Sequence, residues 1–194
     1  MSKVVAPLQS FSASGKVGKS IVFFSHLGRN VVRGLVTPRN TQTESQGDVR
    51  LLMSALGRAA KIPAFGGVYL ADLVQATPAG QTWVSQMVKG VQGLYGKSRT
   101  GITALLSAAS GHSESAVFTS EALTLGIGDV TIDYAGTPTT IDKGAILYAL
   151  AAYTMSVKAT NPSLFARTPY TTALASWDST DVAAFAADVV DLTP

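Results

Sequence analysis

The sequence predicts an α+β protein that is mainly α, with a β-rich N-terminal arm followed by a helical body. Residues 3–36 are rich in Val, Phe, Ser and Gly and lack the apolar stripe of an amphipathic helix. Beyond residue 41, apolar residues recur at three- and four-residue spacing. Residues 1–43 hold six Lys and Arg residues and no Asp or Glu. We therefore expect a basic β-rich arm, residues 1–40, and a mainly helical body, residues 41–194, with one short extended segment.

Two β-rich runs in the arm predict a β-hairpin. They cover residues 20–26 and 30–36, and Gly28 between them can adopt the positive φ that a tight turn requires. Pro38 ends the second run because it has no backbone N–H to donate.

The body is predicted to begin at a capping box, Thr41-x-x-Glu44, followed by a helix that ends near Pro63. An extended run at residues 129–134 is followed by a turn, after which Thr140 is expected to cap the next helix. The other predicted helices cover residues 81–95, 100–109, 115–125, 141–160, 171–177 and 181–192. Within the helix at 81–95, three glycines at three-residue spacing favour close packing of another backbone: Gly90, Gly93 and Gly96.

Composition excludes several classes of protein. The 194 residues are 46% hydrophobic, which suits one globular domain or a domain with an extended appendage. Only 14% are charged, compared with roughly 25% in an average soluble domain. The chain has no cysteine, which excludes disulfides, thiolate metal sites and cysteine nucleophiles. No stretch is long and apolar enough to predict a membrane span or a secretory signal, so we expect the protein to stay where it is made and to contact no membrane.

The charges are segregated along the chain. Residues 1–100 hold twelve Lys or Arg and three acidic residues, whereas residues 101–194 hold three and nine. This asymmetry predicts an electrostatic partner, either nucleic acid or a complementary copy of the same protein.

The phosphate-loop motif is matched only in part. Residues 13–20 end in Gly-Lys-Ser, but Ala13 stands where the motif has Gly, and the following residues 21–24 are strand-like rather than helical. A glycine-rich turn that leads into the hairpin is the preferred interpretation.

A second partial motif, Gly111-His-Ser-Glu-Ser115, approximates the nucleophile elbow of hydrolases, but a helix rather than a strand precedes it. The two histidines, His26 and His112, show no recognisable metal-ligand spacing, and Asp129 and Asp133 have no calcium loop around them. We therefore predict no catalytic residue, no cofactor, no metal and no small-molecule substrate, and the protein is not expected to be an enzyme.

The arm carries the predicted interaction residues. Its basic side chains have three interpretations: a solvated face, a surface that docks on an acidic neighbour, or contacts with nucleic-acid phosphates. The residues assigned to this interaction are Lys16, Lys19, Phe23, Phe24, Arg29, Arg33 and Arg39.

The first fifty residues also contain a set of spaced motifs. They read Ser14-Gly15-x-x-Gly18-Lys19-x-Ile21-Val22-Phe23, then Gly28-Arg29-x-x-Val32-Arg33, then Pro38-x-Asn40, Thr43, Gln46 and Arg50. This pattern resembles the N-terminal segment of a group of small uncharacterised proteins encoded among the structural genes of tailed bacteriophages.

The resemblance implies a virion component rather than an enzyme, made in the host cytoplasm and incorporated into the particle. We expect a structural protein that assembles with copies of itself, or with capsid, neck or tail proteins, through the basic hairpin arm. The alternative is a DNA-binding protein that uses the same arm on genome phosphates.

Overall fold

The computed structural model describes residues 2–3, 15–17, 21–26, 29–34, 43–61, 67–112 and 115–190. The chain divides into two compact units, Met1–Thr41 and Gln42–Pro194. The described residues form a mainly α structure with an N-terminal β-hairpin, so the predicted fold class is confirmed.

The first unit contains a four-stranded antiparallel sheet. Its strands are β1 (Ser2–Lys3), β2 (Gly15–Val17), β3 (Ile21–His26) and β4 (Arg29–Gly34), in the spatial order β1-β4-β3-β2. The predicted hairpin is the β3–β4 pair, which runs from Ile21 opposite Gly34 to His26 opposite Arg29. Gly28 and Pro38, which were predicted to bound these strands, lie outside the described residues.

The second unit is built from helices and one further strand pair. In chain order its elements are α1 (Glu44–Ala59), α2 (Gly67–Gln75), α3 (Trp83–Tyr95), α4 (Arg99–Gly111), α5 (Ser115–Thr124), β5 (Val130–Tyr134), β6 (Thr137–Ile141), α6 (Lys143–Thr160) and α7 (Ser179–Val190).

Helix α1 is capped two residues later than predicted. The Thr43 hydroxyl accepts from the Gln46 amide at 3.4 Å, and the Gln46 side chain accepts from the Thr43 amide at 3.5 Å. Thr43-x-x-Gln46 satisfies the same capping-box pattern as Thr41-x-x-Glu44, and the later one forms. The predicted cap, Thr41, lies outside the described residues.

A β-hairpin replaces the single extended segment that was predicted. Ala135 and Gly136 have φ values of 53° and 76°, and two consecutive positive φ values produce a tight two-residue hairpin turn. The chain therefore returns as strand β6 from Thr137, and Thr140 lies in that strand instead of capping a helix. The cap of α6 is Asp142, whose Oδ1 accepts from the Ala145 amide at 2.8 Å.

Two further segments differ from the prediction. Gly67–Gln75 forms α2, which the spacing did not predict. Residues 171–177 were expected to be a helix but contain only a short 3₁₀ turn, Leu174–Ser176. The chain after this turn carries Trp177 into the core, where its ring centroid lies 5.5 Å from that of Phe185. Burial of the Trp177 side chain fixes the backbone conformation of this segment.

The spaced glycines of α3 pack in different ways. A Cβ atom on Gly90 would lie 2.5 Å from the Tyr153 ring, whereas one on Gly93 would meet no atom within 4 Å. Gly96 follows the helix with a φ of 109°. A Cβ atom on Gly96 would lie 3.4 Å from the backbone Cα of Gly101 in α4, so the predicted close packing of another backbone is found at Gly96. Gly90 packs against a side chain instead, and Gly93 has no close neighbour.

Helix α6 is the centre of the body. It is apolar on every face, and it contacts α1, α3, α4 and α5. Ala145, Leu147, Ala149 and Leu150 are completely buried. A helix without a polar face is stable only when neighbours cover it, and α1, α3, α4 and α5 provide this cover for α6.

Candidate functional site

The register of the N-terminal sheet sorts its residues onto two faces. Residues directly opposite each other in antiparallel strands share a face, and successive residues alternate between faces. Val22 is opposite Arg33 and Phe24 is opposite Val31. The face to which these residues belong, here called the basic face, comprises the positions Lys3, Lys16, Val22, Phe24, His26, Arg29, Val31 and Arg33.

The opposite face has no charged residue among the described strand positions. Ile21 is 39% exposed, and Phe23 and Val32 are half-buried. The remaining positions of this apolar face are Ser2, Gly15, Val17, Ser25, Asn30 and Gly34. Every Lys and Arg of the described strands therefore occupies a position on the basic face.

Phe24 is the centre of the side-chain contacts on the basic face. The guanidinium carbon of Arg33 lies 5.0 Å from its ring centroid, within the range of a cation–π interaction. The His26 ring approaches with its edge at a centroid distance of 6.5 Å. Arg33 and His26 are exposed, so the cationic group and the imidazole are both accessible to a partner.

The predicted interaction residues do not all belong together. The register places Lys16, Phe24, Arg29 and Arg33 on the basic face, whereas Phe23 belongs to the apolar face. Two other predicted residues, Lys19 and Arg39, lie outside the described residues. The alternation of residues 21–26 along a strand is the sequence signal that separates Phe23 from Phe24.

Both edges of the sheet are short. Strand β2 pairs only with Ile21–Phe23 of β3, and β1 pairs only with Val31 and Val32 of β4. Among the described residues, nothing pairs with the outer side of Phe24–His26. An extended segment of another chain could add a strand at such an edge through backbone hydrogen bonds.

Several acidic residues of the C-terminal half have local partners. Asp142 caps α6. Asp129 accepts from the Lys143 amide at 2.9 Å and pairs with its ammonium at 3.5 Å. Asp188 pairs with Arg167 at 2.9 Å. These carboxylates stabilise the body, so the charge segregation of the sequence is not by itself an acidic docking surface.

Two carboxylates cap the start of α7. Asp178 Oδ1 accepts from the amides of Thr180 and Asp181 at 2.9 Å each, and Asp181 Oδ2 accepts from the Asp178 amide at 3.2 Å. These two carboxylates are helix-capping groups.

The residues around the Gly-Lys-Ser sequence are strands where they are described. Gly15–Val17 is β2, and Ile21–His26 is β3. A phosphate loop requires a helix directly after its Lys-Ser pair, because the helix N-terminus contributes to phosphate binding. Strand β3 stands where the phosphate-binding helix N-terminus would be required.

His112 follows α4 and is buried by aromatic residues. Its Nε2 lies 2.8 Å from the Leu174 carbonyl oxygen, and its ring meets the rings of Phe118 and Tyr148 edge-on at 5.4 and 5.6 Å. These contacts connect α4, α5 and α6. Ser113, the central residue of the partial nucleophile motif, lies outside the described residues.

Metal and membrane sites were searched within the described part of the chain. No group of three or more His, Asp or Glu side chains there is arranged to hold a metal ion. None of the helices described is both long and apolar enough to cross a bilayer.

The sequence did not predict a cleft formed by α2, the segment 163–170 and α7. Asp72, Arg167, Tyr170 and Asp188 line it, and its volume is about 250 Å³. These residues are far apart in the sequence and form no local motif, so no sequence signal would have brought them together.

Searches of protein-family models, curated proteins and solved structures find no match to this chain.

Proposed function

We propose that this protein is a structural component of a tailed-bacteriophage virion and that its N-terminal arm joins it to neighbouring subunits. The neighbours are copies of itself or other capsid, neck or tail proteins. The proposal assigns no catalytic reaction and no cofactor, and it places the protein in the particle after synthesis in the host cytoplasm.

The two-faced N-terminal sheet is the observation that carries this proposal. It belongs to a unit separate from the helical body. Of the strand residues that the structure describes, one face has all the cationic positions and the other has none. A cationic face provides steering and register on an acidic partner, while an apolar face and open strand edges provide burial and backbone pairing.

Composition supports the same interpretation. Only 14% of the residues are charged, and exposed apolar side chains include Met53, Val74, Leu94 and Leu123 of the body. A low density of surface charge suits a subunit that is largely covered by neighbours. The resemblance of residues 14–50 to phage structural proteins adds the class of particle.

The test is a comparison of the full chain with a variant that lacks residues 1–40. Particles are produced with each version, purified, and their protein content is quantified by mass spectrometry. We expect the full chain in a constant number of copies per particle and the truncated chain at background level. The truncated chain must keep its far-ultraviolet circular dichroism. Normal incorporation of the truncated chain would refute the role of the arm, and absence of the full chain from particles would refute the whole proposal.

The alternative function is DNA binding by the basic face. The observation that favours it is that four cationic positions share the face of Phe24: Lys3, Lys16, Arg29 and Arg33. The Arg33 guanidinium lies over the Phe24 ring. Such a surface is able to neutralise phosphates and stack a base.

Salt dependence separates the two functions. A DNA-binding arm predicts retention on duplex or single-stranded DNA, with an affinity that falls steeply as salt is raised. The protein-assembly proposal predicts that Arg33→Ser abolishes particle entry while DNA affinity stays weak and nonspecific. Tight, salt-sensitive DNA binding that is lost in Arg33→Ser would replace the assembly function by the DNA-binding one.

A further inference from the structure

We propose that the cleft formed by α2, the segment 163–170 and α7 binds an arginine side chain from the N-terminal sheet of a second copy of this chain, with Arg33 as the donor. This inference rests on the proposed function, because it names the surface on which the arm docks.

The cleft has two carboxylates and a single cation. Asp72 uses Oδ2 to accept from the Phe165 amide at 3.0 Å, and Asp188 uses Oδ1 to accept from Arg167 at 2.9 Å. With Arg167 as the positive group among the lining residues, the formal charge of the cleft is negative.

The Tyr170 hydroxyl is the observation that points to a ligand. Tyr170 is 3% exposed, yet its hydroxyl oxygen has no hydrogen-bond partner within the described part of the chain. Burial, and then the nearby Tyr69 and Asp188, hold the pKa of this phenol above its usual value. The Asp188 carboxylate is therefore a neighbour of the hydroxyl, but the two groups lack the geometry of a full hydrogen bond. A buried hydroxyl without a partner is unfavourable, and a donor that enters the cleft would remove that cost.

Guanidinium chemistry fits these groups. It has five N–H donors and no acceptor, and it therefore matches a site that presents carboxylate and phenol oxygens. The lining rings of Tyr69, Phe165 and Tyr170 provide aromatic faces for a planar cation. The volume of about 250 Å³ is below the roughly 300–1,000 Å³ of drug-sized pockets, which suits one side chain better than a cofactor.

The arm of a second copy is the source that charge complementarity favours. The basic face of its sheet presents Arg33, which is exposed and rests on Phe24. The first 43 residues hold six basic residues and no acid, so the arm approaches a negative cleft without repulsion from charges of its own.

The first experiment measures binding of L-argininamide to the full chain carrying Trp83→Phe, which leaves Trp177 as the fluorescent reporter. Trp177 is suitable because its ring centroid lies 6.2 Å from that of Tyr170. We expect saturable fluorescence changes with L-argininamide and none with L-citrullinamide, its neutral isostere. Asp72→Asn and Tyr170→Phe should each weaken binding about tenfold.

Tyr170→Phe separates a binding role from a structural one. Its hydroxyl makes no hydrogen bond to the described residues, so the variant should unfold at the same or a higher denaturant concentration while binding L-argininamide more weakly. Equal binding by Tyr170→Phe and the parent would overturn the assignment of the hydroxyl. Absence of any response to L-argininamide would overturn the site.

The second experiment tests the source of the arginine by sedimentation of the full chain over a range of concentrations. We expect self-association that L-argininamide reverses and that Arg33→Ser and Asp188→Asn weaken. Lys89→Ser is the matched control, since it removes an exposed positive charge from α3 of the body. Binding of L-argininamide by a chain that stays monomeric would overturn the second copy as donor. The solution measurements test the cleft, and the particle-entry experiment tests the proposed function. Either proposal can therefore be refuted without the other.

Discussion

Replacing Asp48 with Ala removes a buried carboxylate that joins α1, α4 and the β5–β6 hairpin. Asp48 is 2% exposed, and its Oδ1 accepts from the Tyr134 hydroxyl and from Arg99 Nε, both at 3.1 Å. The bond from Tyr134 ends on a charged acceptor and contributes about 1.5–3 kcal/mol. The Arg99 side chain is 37% exposed, so screening by solvent limits its pairing to about 1 kcal/mol or less. We expect Asp48→Ala to lower the free energy of unfolding by about 3 kcal/mol.

The assay is equilibrium unfolding in urea, followed by far-ultraviolet circular dichroism and by tryptophan fluorescence. Both tryptophans, Trp83 and Trp177, lie in the body, so fluorescence reports on the unit that contains Asp48. A double-mutant cycle with Tyr134→Phe should give a coupling energy of about 1–2 kcal/mol. Asp133→Ala, an exposed carboxylate on β5, is the control and should change stability by less than about 0.5 kcal/mol.

The reasoning is refuted if Asp48→Ala is as stable as the parent within about 0.5 kcal/mol. If Asp48→Ala and Tyr134→Phe lower the free energy of unfolding additively, the Tyr134–Asp48 hydrogen bond does not hold the β5–β6 hairpin on α1.

Two other predictions concern packing and pH. Gly47→Ala places a Cβ 2.5 Å from the Tyr134 ring and should destabilise the body by about 1–3 kcal/mol. A Cβ at Gly57 meets no atom within 4 Å, so Gly57→Ala should stabilise the same helix by up to about 1 kcal/mol. Equal effects of the two substitutions in urea unfolding would contradict the packing at Gly47. Burial raises the pKa values of Tyr69 and Tyr170 in the folded chain, so the folded state keeps phenol protons that the unfolded state loses above about pH 10. The free energy of unfolding should therefore fall as the pH rises above that value, and Tyr69→Phe should make this fall with pH less steep. If the free energy of unfolding does not change with pH in this range, neither phenol is held in its neutral form by the fold.

Elements with a clear apolar period were predictable from the sequence. The spacing of Val49, Leu52 and Leu56 predicts α1, and most of the other predicted helices match α3 to α7. The β3–β4 hairpin follows from β-branched and aromatic residues on both sides of a Gly-containing turn. Local propensity and tertiary packing agree in these elements.

The missed elements depend on information outside the local pattern. Strand β6 exists because the turn at Ala135-Gly136 has two positive φ values, and Ala at the first position gives no sequence signal for such a turn. The 171–177 segment is directed by burial of Trp177 against Phe185, a contact between residues of different elements.

The candidate site was predictable at the level of the arm and not beyond it. The concentration of basic residues identified the arm, but strand alternation and pairing register were needed to place Phe23 and Phe24 on opposite faces. The cleft depends on Asp72, Tyr170 and Asp188, which only the tertiary structure brings together.

The central position of α6 has a consequence for synthesis on the ribosome. Helices α1, α3 and α4 precede α6 in the chain and pack against it. Their apolar faces stay uncovered until Thr160, the last residue of α6, has been made. At roughly 5–20 residues per second, the roughly 100 residues between the end of α1 and the end of α6 take about 5–20 s to translate. During that interval the surfaces of α1, α3 and α4 that pack on α6 lack their partner, and we expect a chain released before residue 160 to be prone to aggregation.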